Sequence, residues 1–513
     1  MRRMAVLAVL AVLTSVVAGC SSDDEAGTPD PEAAETTTTA AQADYVPMFE
    51  PTACDSDRVP EDTATVECGT LVVPEDRTEA DGPQVRLPVA IVRTASPTKQ
   101  PDPIIYFSGG PGYPGIESSN GFVRAGLSPD RDLIFFDQRG TGAAEPSLDC
   151  PEYDESTYQL FETTDPPLAE AERQIAALVA CRERLIAEGI DLAQYDTPTT
   201  AADVADLRTA LGIDEWNLFG ISYGTAVALE VLRAHPEGIR SVVIDSVVPP
   251  DEPLSMTEDF EEARRVFGVL YAGCAASAEC AAAHPDLEQD LRDVVALLDA
   301  DPYAKTITET SRPVEARFTG GDLVAGIWNA MYDTTLIPLI PFFIGQMKAG
   351  NRAVLDPVAS EGLAFVTGAA EGQTASVDCA DLQVYVDEAQ LRDTGLTDPL
   401  FGTLASAQPI PLVCDEWDVP SVEEGFHEIP ESDVPVLVFG NEYDPITPPE
   451  GSEHVADALG AKATYVEFPG LGHGATTAAP CPLAIFQAFV ADPTAGVDTA
   501  CVATMPPPAW VIG

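Results

Sequence analysis

The stretch GISYGT (220–225) places Ser222 between two glycines at the G-x-S-x-G spacing. A serine hydroxyl is a weak nucleophile at neutral pH, so it carries acyl-transfer chemistry only beside a base that a carboxylate orients. The pattern alone is a weak signal, because glycine and serine are common, and the flanking elements must decide. WNLF (216–219) reads as a buried strand and TAVALEVLRAH (225–235) as a helix packed back on it. Ser222 therefore falls on a strand-to-helix turn, the placement a nucleophile on a sharp elbow requires.

The partners of such a serine follow it in the chain order serine, acid, histidine. Five histidines are present. His235 lies in the helix after the serine, His284 and His427 in a long helical stretch, and His454 on a helix behind a late strand. His473, in FPGLGHGATT, directly follows the last strand on a glycine-rich loop and is the candidate base. VLVFGNEYDPITP runs a buried strand into a loop carrying two acids; Asp444 is the candidate, with Glu442 as the alternative, and Pro445 and Pro448 stiffen the turn. A lone aspartate after a strand is ordinarily a turn residue, so the weight lies in three residues in order, each behind its own strand. The developing oxyanion needs amide donors. The Tyr223 N–H is one, and the Gly110 N–H in the loop Ser108-Gly109-Gly110-Pro111-Gly112 is the other, a tight turn without ligand being the plain alternative.

These loops need a sheet to carry them. VRLPVAIVRT (85–94) alternates as an edge strand does, while PIIYF (103–107) and DLIFF (132–136) are short apolar runs stopped by SGGPG and DQRGTG, as buried strands are. TAADVADLRTALGI (200–213) spaces Val204, Leu207 and Leu211 at helical intervals, and SVVIDSVVPP (241–250) is again a strand. From Pro250 to Val434 the chain reads as helices, among them 260–271, 287–300 and 322–332. Strand signal returns with VPVLVFGNEYD (434–444), then a helix at 451–460 and a strand at 463–470. The reading is an α/β chain with a doubly wound, mostly parallel sheet. Its core comprises 46–250 and 434–513, and a helical cap, 251–433, is inserted between two strands. Trp328 and Tyr332, one helical turn apart in the cap, read as a core stripe with a cleft wall as the alternative.

The 513 residues carry 84 Asp plus Glu against 26 Lys plus Arg, a net charge of −58. That balance argues against nucleic acid and against adhesion to anionic lipid through a basic patch, and fits a salty habitat. Residues 1–20 form a basic start, an apolar run and a small-residue end at Val17-Ala18-Gly19-Cys20. They read as an export signal resembling a lipobox, with lipid on Cys20. Residues 21–45 hold almost no large apolar side chains and read as a flexible tether. The expected location is outside the membrane, lipid-anchored or secreted. The ten remaining cysteines, an even number without Cys-x-x-Cys, favour disulfides over a zinc cluster; the sequence does not fix their pairing, and five bridges between successive cysteines, each closing a short loop, are the expectation.

GGPG followed by DQRGTG (137–142), GISYGT, GNEYDPITP and GLGHG resembles the proline-iminopeptidase branch of the α/β-hydrolases, and most closely its secreted actinobacterial tripeptidyl aminopeptidases. The leading ECGTLVVPEDR (67–77) and the Cys481 and Cys501 pair point the same way, so the likeness spans about residues 50 to 510. It implies an α/β-hydrolase core, a helical cap, no cofactor and no metal, and a serine exopeptidase acting on peptide N-termini, expected as a monomer whose only membrane contact is its lipid anchor. Where the family often has His before GGPG, this chain has Ser108. SVDCADL (376–382) resembles a family pattern that makes Asp381 the candidate for the substrate amine, with a helix cap as its plain alternative. A carboxylesterase with the same triad is the second expectation and a catalytically dead binding protein the third. A haloalkane-dehalogenase reading is excluded, since that chemistry needs an aspartate where Ser222 stands.

Overall fold

The computed structural model describes residues 45–60, 64–252, 260–308, 310–356, 368–382, 388–406 and 409–512. The expected signal with Cys20, and the tether except for Tyr45, lie outside the described residues.

Nine strands form one sheet. In chain order they are β1 (Met48–Thr52), β2 (Thr65–Pro74), β3 (Gln84–Arg93), β4 (Ile104–Phe107), β5 (Leu133–Phe136), β6 (Trp216–Ile221), β7 (Ile239–Asp245), and, after the hairpin strands β8 (Tyr303–Ile307) and β9 (Val314–Phe318), β10 (Val436–Asn441) and β11 (Ala463–Phe468). The spatial order is β1-β2-β3-β5-β4-β6-β7-β10-β11. From β5 to β11 all neighbours are parallel, and β1, β2 and β3 are added antiparallel. Every residue of β4, β5 and β10 is buried, as strands covered on both faces must be. The helices Thr197–Leu211, Tyr223–Ala234 and Pro449–Leu459 cover one face through Val204, Val227 and Val455. Ser119–Ala125 and Pro480–Ala491 cover the other through Phe122, Phe486 and Phe489. The sheet is thus doubly wound, with the loops at the carboxyl ends of its parallel strands gathered on one side.

Two local readings are corrected. Strand β3 is interior, paired with β2 through Thr70 and Pro88 and with β5 through Val89 and Phe136. It mimics an edge strand because its first half alternates between exposed and buried positions and Pro88 donates no hydrogen bond. The inserted region also holds the antiparallel hairpin β8–β9, whose short period-two runs YAKTI and VEARF lie within the stretch read as helical.

Strands β7 and β10 are hydrogen-bonded neighbours, so the chain between them leaves and re-enters the sheet at one place. The inserted residues build their own core around Phe260, Phe267, Trp328 and Phe401. The helices Pro151–Glu162 and Pro167–Ala187 join that layer: Tyr158 and Ala171 are buried in its core, and Arg312 pairs with Glu155 and Glu162. Five disulfides link successive cysteines, as expected: Cys54–Cys68, Cys150–Cys181, Cys274–Cys280, Cys379–Cys414 and Cys481–Cys501.

Candidate active site

Ser222 stands between the last residue of β6 and the first of the helix Tyr223–Ala234, with φ 58° and ψ −130°. A side chain held at positive φ is strained by about 1–3 kcal/mol, which the packing around it must sustain. The flanking glycines make that packing possible. A Cβ on Gly220 would lie 2.2 Å from the Gly224 carbonyl oxygen, and one on Gly224 would lie 2.1 Å from that of Phe107. Helix, β6 and β4 approach too closely for any side chain at these two positions.

His473 lies on the loop after β11, and its Nδ1 is 2.9 Å from Asp444 Oδ2. Asp444, on the loop after β10, is fully buried (0% exposed). Its Oδ1 accepts from the N–H groups of Ile446 (3.1 Å) and Thr447 (2.9 Å), and its Oδ2 from the hydroxyls of Ser246 (2.7 Å) and Thr447 (2.9 Å). Burial alone would raise the Asp444 carboxyl, but attraction to His473 and these hydrogen bonds hold it below its ordinary value. Burial likewise works against the imidazolium of His473. Asp444, with Asp245 behind it, outweighs burial and raises His473 above its ordinary value. Glu442 does not reach the histidine ring. Its Oε2 accepts from the Gly470 N–H at 2.7 Å and ties down the loop that leads to His473.

Ser222 and His473 line one cavity of about 1050 Å³. No hydrogen bond joins the serine hydroxyl to the imidazole, and such contacts often tighten only in a substrate complex. The Gly109-Gly110 loop borders Ser222, and Gly109 approaches closest, since a Cβ there would lie 2.8 Å from Ser222 Cβ. The amides of Gly110 and Tyr223 donate to no protein acceptor among the described residues. Ser108, where the family often has His, donates its hydroxyl to the Tyr113 carbonyl at 2.8 Å across the loop, and Gln138 Nε2 donates to the Ser108 carbonyl at 3.1 Å. DQRGTG is a brace. Asp137 accepts from the N–H groups of Ile116 (3.1 Å) and Ala143 (3.0 Å), and the wholly buried Arg139 grips Asp203 with two hydrogen bonds of 2.7 and 2.8 Å.

The wall beside the GGPG loop is acidic. The helix Glu371–Val377 and the π-helical turn Asp378–Leu382 lie beside the GGPG loop: Thr374 Oγ1 donates to the Pro111 carbonyl (3.0 Å) and the Ala370 N–H to that of Gly112 (3.0 Å). Glu371, Asp378 and Asp381 all line the cavity. Asp381 is 2% exposed, and its Oδ2 accepts from Thr197, whose hydroxyl is 2.7 Å from the Tyr223 hydroxyl, while its Oδ1 has no partner among the described residues. Glu371 and Asp378 have no cationic partner among the described residues. Burial, then repulsion from Asp154 and Asp378, pushes Glu371 up to about 8. Burial alone pushes Asp378 up to about 7, and burial also raises Asp381. Among the described residues, seven carboxylates and no Lys or Arg line the cavity. Sequence reasoning reached Asp381 but missed Glu371 and Asp378, which only their place on the cavity wall separates from other acids. Trp328 proves to be both core and wall: it is 3% exposed and borders the cavity, and the Tyr332 ring lies 4.9 Å from that of His473.

A family model described as alpha/beta hydrolase fold matches residues 102–293, and one described as TAP-like protein matches 398–501. The tripeptidyl aminopeptidase of Streptomyces coelicolor is 26% identical over 434 residues, covering 80% of this chain and 78% of that protein. The serine protease Hip1 of Mycobacterium tuberculosis is 24% identical over 435 residues, covering 79% and 81%. Carboxylesterase B of Mycobacterium tuberculosis is 26% identical over 443 residues, covering 80% and 81%. With this sheet, and a serine at the elbow of its β6, the chain is a serine hydrolase of the α/β-hydrolase fold, similar to the tripeptidyl aminopeptidases.

Proposed function

We propose that this protein is an exported serine aminopeptidase that releases short peptides, of the tripeptidyl type, from peptide N-termini. His473, oriented by Asp444, takes the proton of Ser222 as its oxygen attacks the scissile carbonyl. The Gly110 and Tyr223 amides hold the oxyanion. His473 then returns the proton to the leaving amine, and water releases the acyl group by the same route. The observation that carries the reading is the acidic wall, Glu371, Asp378 and Asp381, facing the same cavity as Ser222 and His473, with Asp381 Oδ1 buried and without a partner among the described residues. A buried carboxylate without a cationic partner is costly, and a substrate ammonium supplies the missing charge. Disulfides, the amino-terminal pattern of residues 1–20 and the acidic composition support an exported protein, with Cys20 as its lipid anchor.

The test is initial-rate hydrolysis of a tripeptide anilide with a free N-terminus beside its acetylated twin, with Ser222→Ala as control. Cleavage of the free amine alone supports the aminopeptidase, and equal cleavage of both removes the role given to the acidic wall. A carboxylesterase is the second reading, favoured by the mainly apolar cavity lining, with Trp328, Phe343 and Phe426 among its side chains. Turnover of short-chain esters with neither peptide cut would select it.

A further inference from the structure

Strand β7 ends at Asp245 and is followed by Ser246; both polar residues are 0% exposed, and they touch the loops that carry all three members of the proposed triad. The Asp245 carbonyl accepts from the Ser222 N–H at 3.1 Å. Its carboxylate accepts from the N–H (2.7 Å) and hydroxyl (2.6 Å) of Thr476, three residues past His473. The Ser246 hydroxyl donates to Asp444 Oδ2 at 2.7 Å and accepts from the Gly474 N–H at 2.9 Å and from Asn441 Nδ2 at 3.0 Å. One proton and two lone pairs are a hydroxyl's whole capacity, and here all are used.

The backbone adds an independent observation. Ser246 has φ 59°, a left-handed conformation that non-glycine residues seldom adopt. Glycine would sit there without strain, so a serine at this position is explained by what its hydroxyl holds. The loops after β10 and β11 meet directly through Asp444 with His473 and Glu442 with Gly470, and the Ser246 oxygen is a single atom bonded to both from the end of a third strand.

We propose that Ser246 is a positioning residue for the hydrolase reaction: its hydroxyl fixes the Asp444 carboxylate and the His473 loop against the end of the strand that also anchors the Ser222 amide. This rests on the assignment of Ser222, His473 and Asp444 above, but not on the nature of the acyl substrate. A short-chain nitrophenyl ester and a fluorophosphonate probe therefore serve as readouts.

The deciding variant is Ser246→Gly, which relieves the backbone strain and removes the hydroxyl. The expected result is a fold retained by circular dichroism and a KM within about twofold of wild type, with kcat and the fluorophosphonate labelling rate both lowered about 10- to 100-fold, the scale of one hydrogen bond to a charged group. Ser246→Cys keeps the volume with a weaker donor and should fall between the two. A Ser246→Gly protein with kcat within about twofold of wild type, or one whose loss lies wholly in KM, overturns the proposal. If Ser246→Gly does not fold, Ser246→Cys decides: lowered kcat at unchanged KM supports the proposal, and unchanged kcat overturns it. Failure of both variants to fold would make Ser246 a stability residue and overturn it too. Undiminished turnover by Ser222→Ala would instead remove the triad itself, a distinct failure.

Discussion

The Trp328 indole N–H donates to the carbonyl of Pro445, 3.0 Å away, and Pro445 is the residue after Asp444. The inserted layer therefore touches the loops that carry Asp444 and His473 directly. Thr334 Oγ1 accepts from the Gly472 N–H at 3.0 Å, and a Cβ on Gly472 would lie 2.3 Å from the Met331 carbonyl oxygen. Arg265 donates to the carbonyls of Glu442 and Asp444. Trp328→Phe keeps most of the ring packing and strips the buried Pro445 carbonyl of its donor. It should cost about 1–3 kcal/mol of stability in denaturant unfolding. Ester kcat should fall several-fold because the acid loop loses its restraint. Unchanged stability and rate would mean that the contact positions nothing.

Asp444→Asn should lower kcat by about 10⁴, because an amide favours the wrong imidazole tautomer while leaving the geometry intact. Glu442→Gln should stay within about tenfold of wild type, since that side chain anchors the Gly470 N–H and does not touch His473. Steady-state kinetics on one ester substrate compares the two variants. A reversed ranking would transfer the acid role to Glu442.

The difference between those two acids also shows where the sequence ran short. Both follow the same strand two residues apart, and only their hydrogen bonds tell them apart. The Ser222 turn was readable because an apolar strand, two glycines and an apolar helix allow few other geometries. His473 was readable because five histidines left one in the right loop. Glu371 and Asp378 were invisible among 84 acidic residues, since only their place on the cavity wall sets them apart, a tertiary property. Strand β3 was misplaced for a similar reason: alternation reports a partly exposed face, and says nothing about whether another strand lies beyond.

Two groups of titrations should appear in the pH profile. The base must be neutral to act, and His473 is raised above its ordinary 6.5, so ester kcat/KM should fall as pH drops through a value above 6.5. The free-amine peptide should show an additional rise in KM, absent for the ester, as Glu371 (about 8) and Asp378 (about 7) take up protons. Above about pH 8 the substrate amine loses its own proton, which closes the window from the other side. Parallel KM profiles for peptide and ester would contradict the amine-binding role of these carboxylates.

The same groups set a direction for stability. The folded-state values of Glu371 and Asp378 lie above their ordinary 4.5 and 3.8, so the native state binds these protons more tightly than the unfolded chain. Their contribution is complete below the ordinary values and is lost as pH rises through about 7 to 8. His473, also raised, acts in the same sense, and Asp444, lowered, loses its contribution only at pH below the ordinary carboxylate range. Tm should therefore increase as pH is lowered from about 8.5 to 6, and Glu371→Gln should flatten that slope. Thermal unfolding across this range checks both statements. A Tm that falls over the interval would mean that the wall is ionised and paired in the folded protein.

In the proposed function, one acidic wall makes a serine hydrolase read a free amine. Its most direct measurement is the ratio of kcat/KM for a free-amine tripeptide anilide to that for the acetylated twin, in wild type and in Glu371→Gln, with ester turnover as an internal standard. The expected result is a ratio of about 10² or more in wild type and a marked fall in the variant at unchanged ester turnover. A ratio near one in wild type, or a high ratio that Glu371→Gln leaves intact, would contradict it.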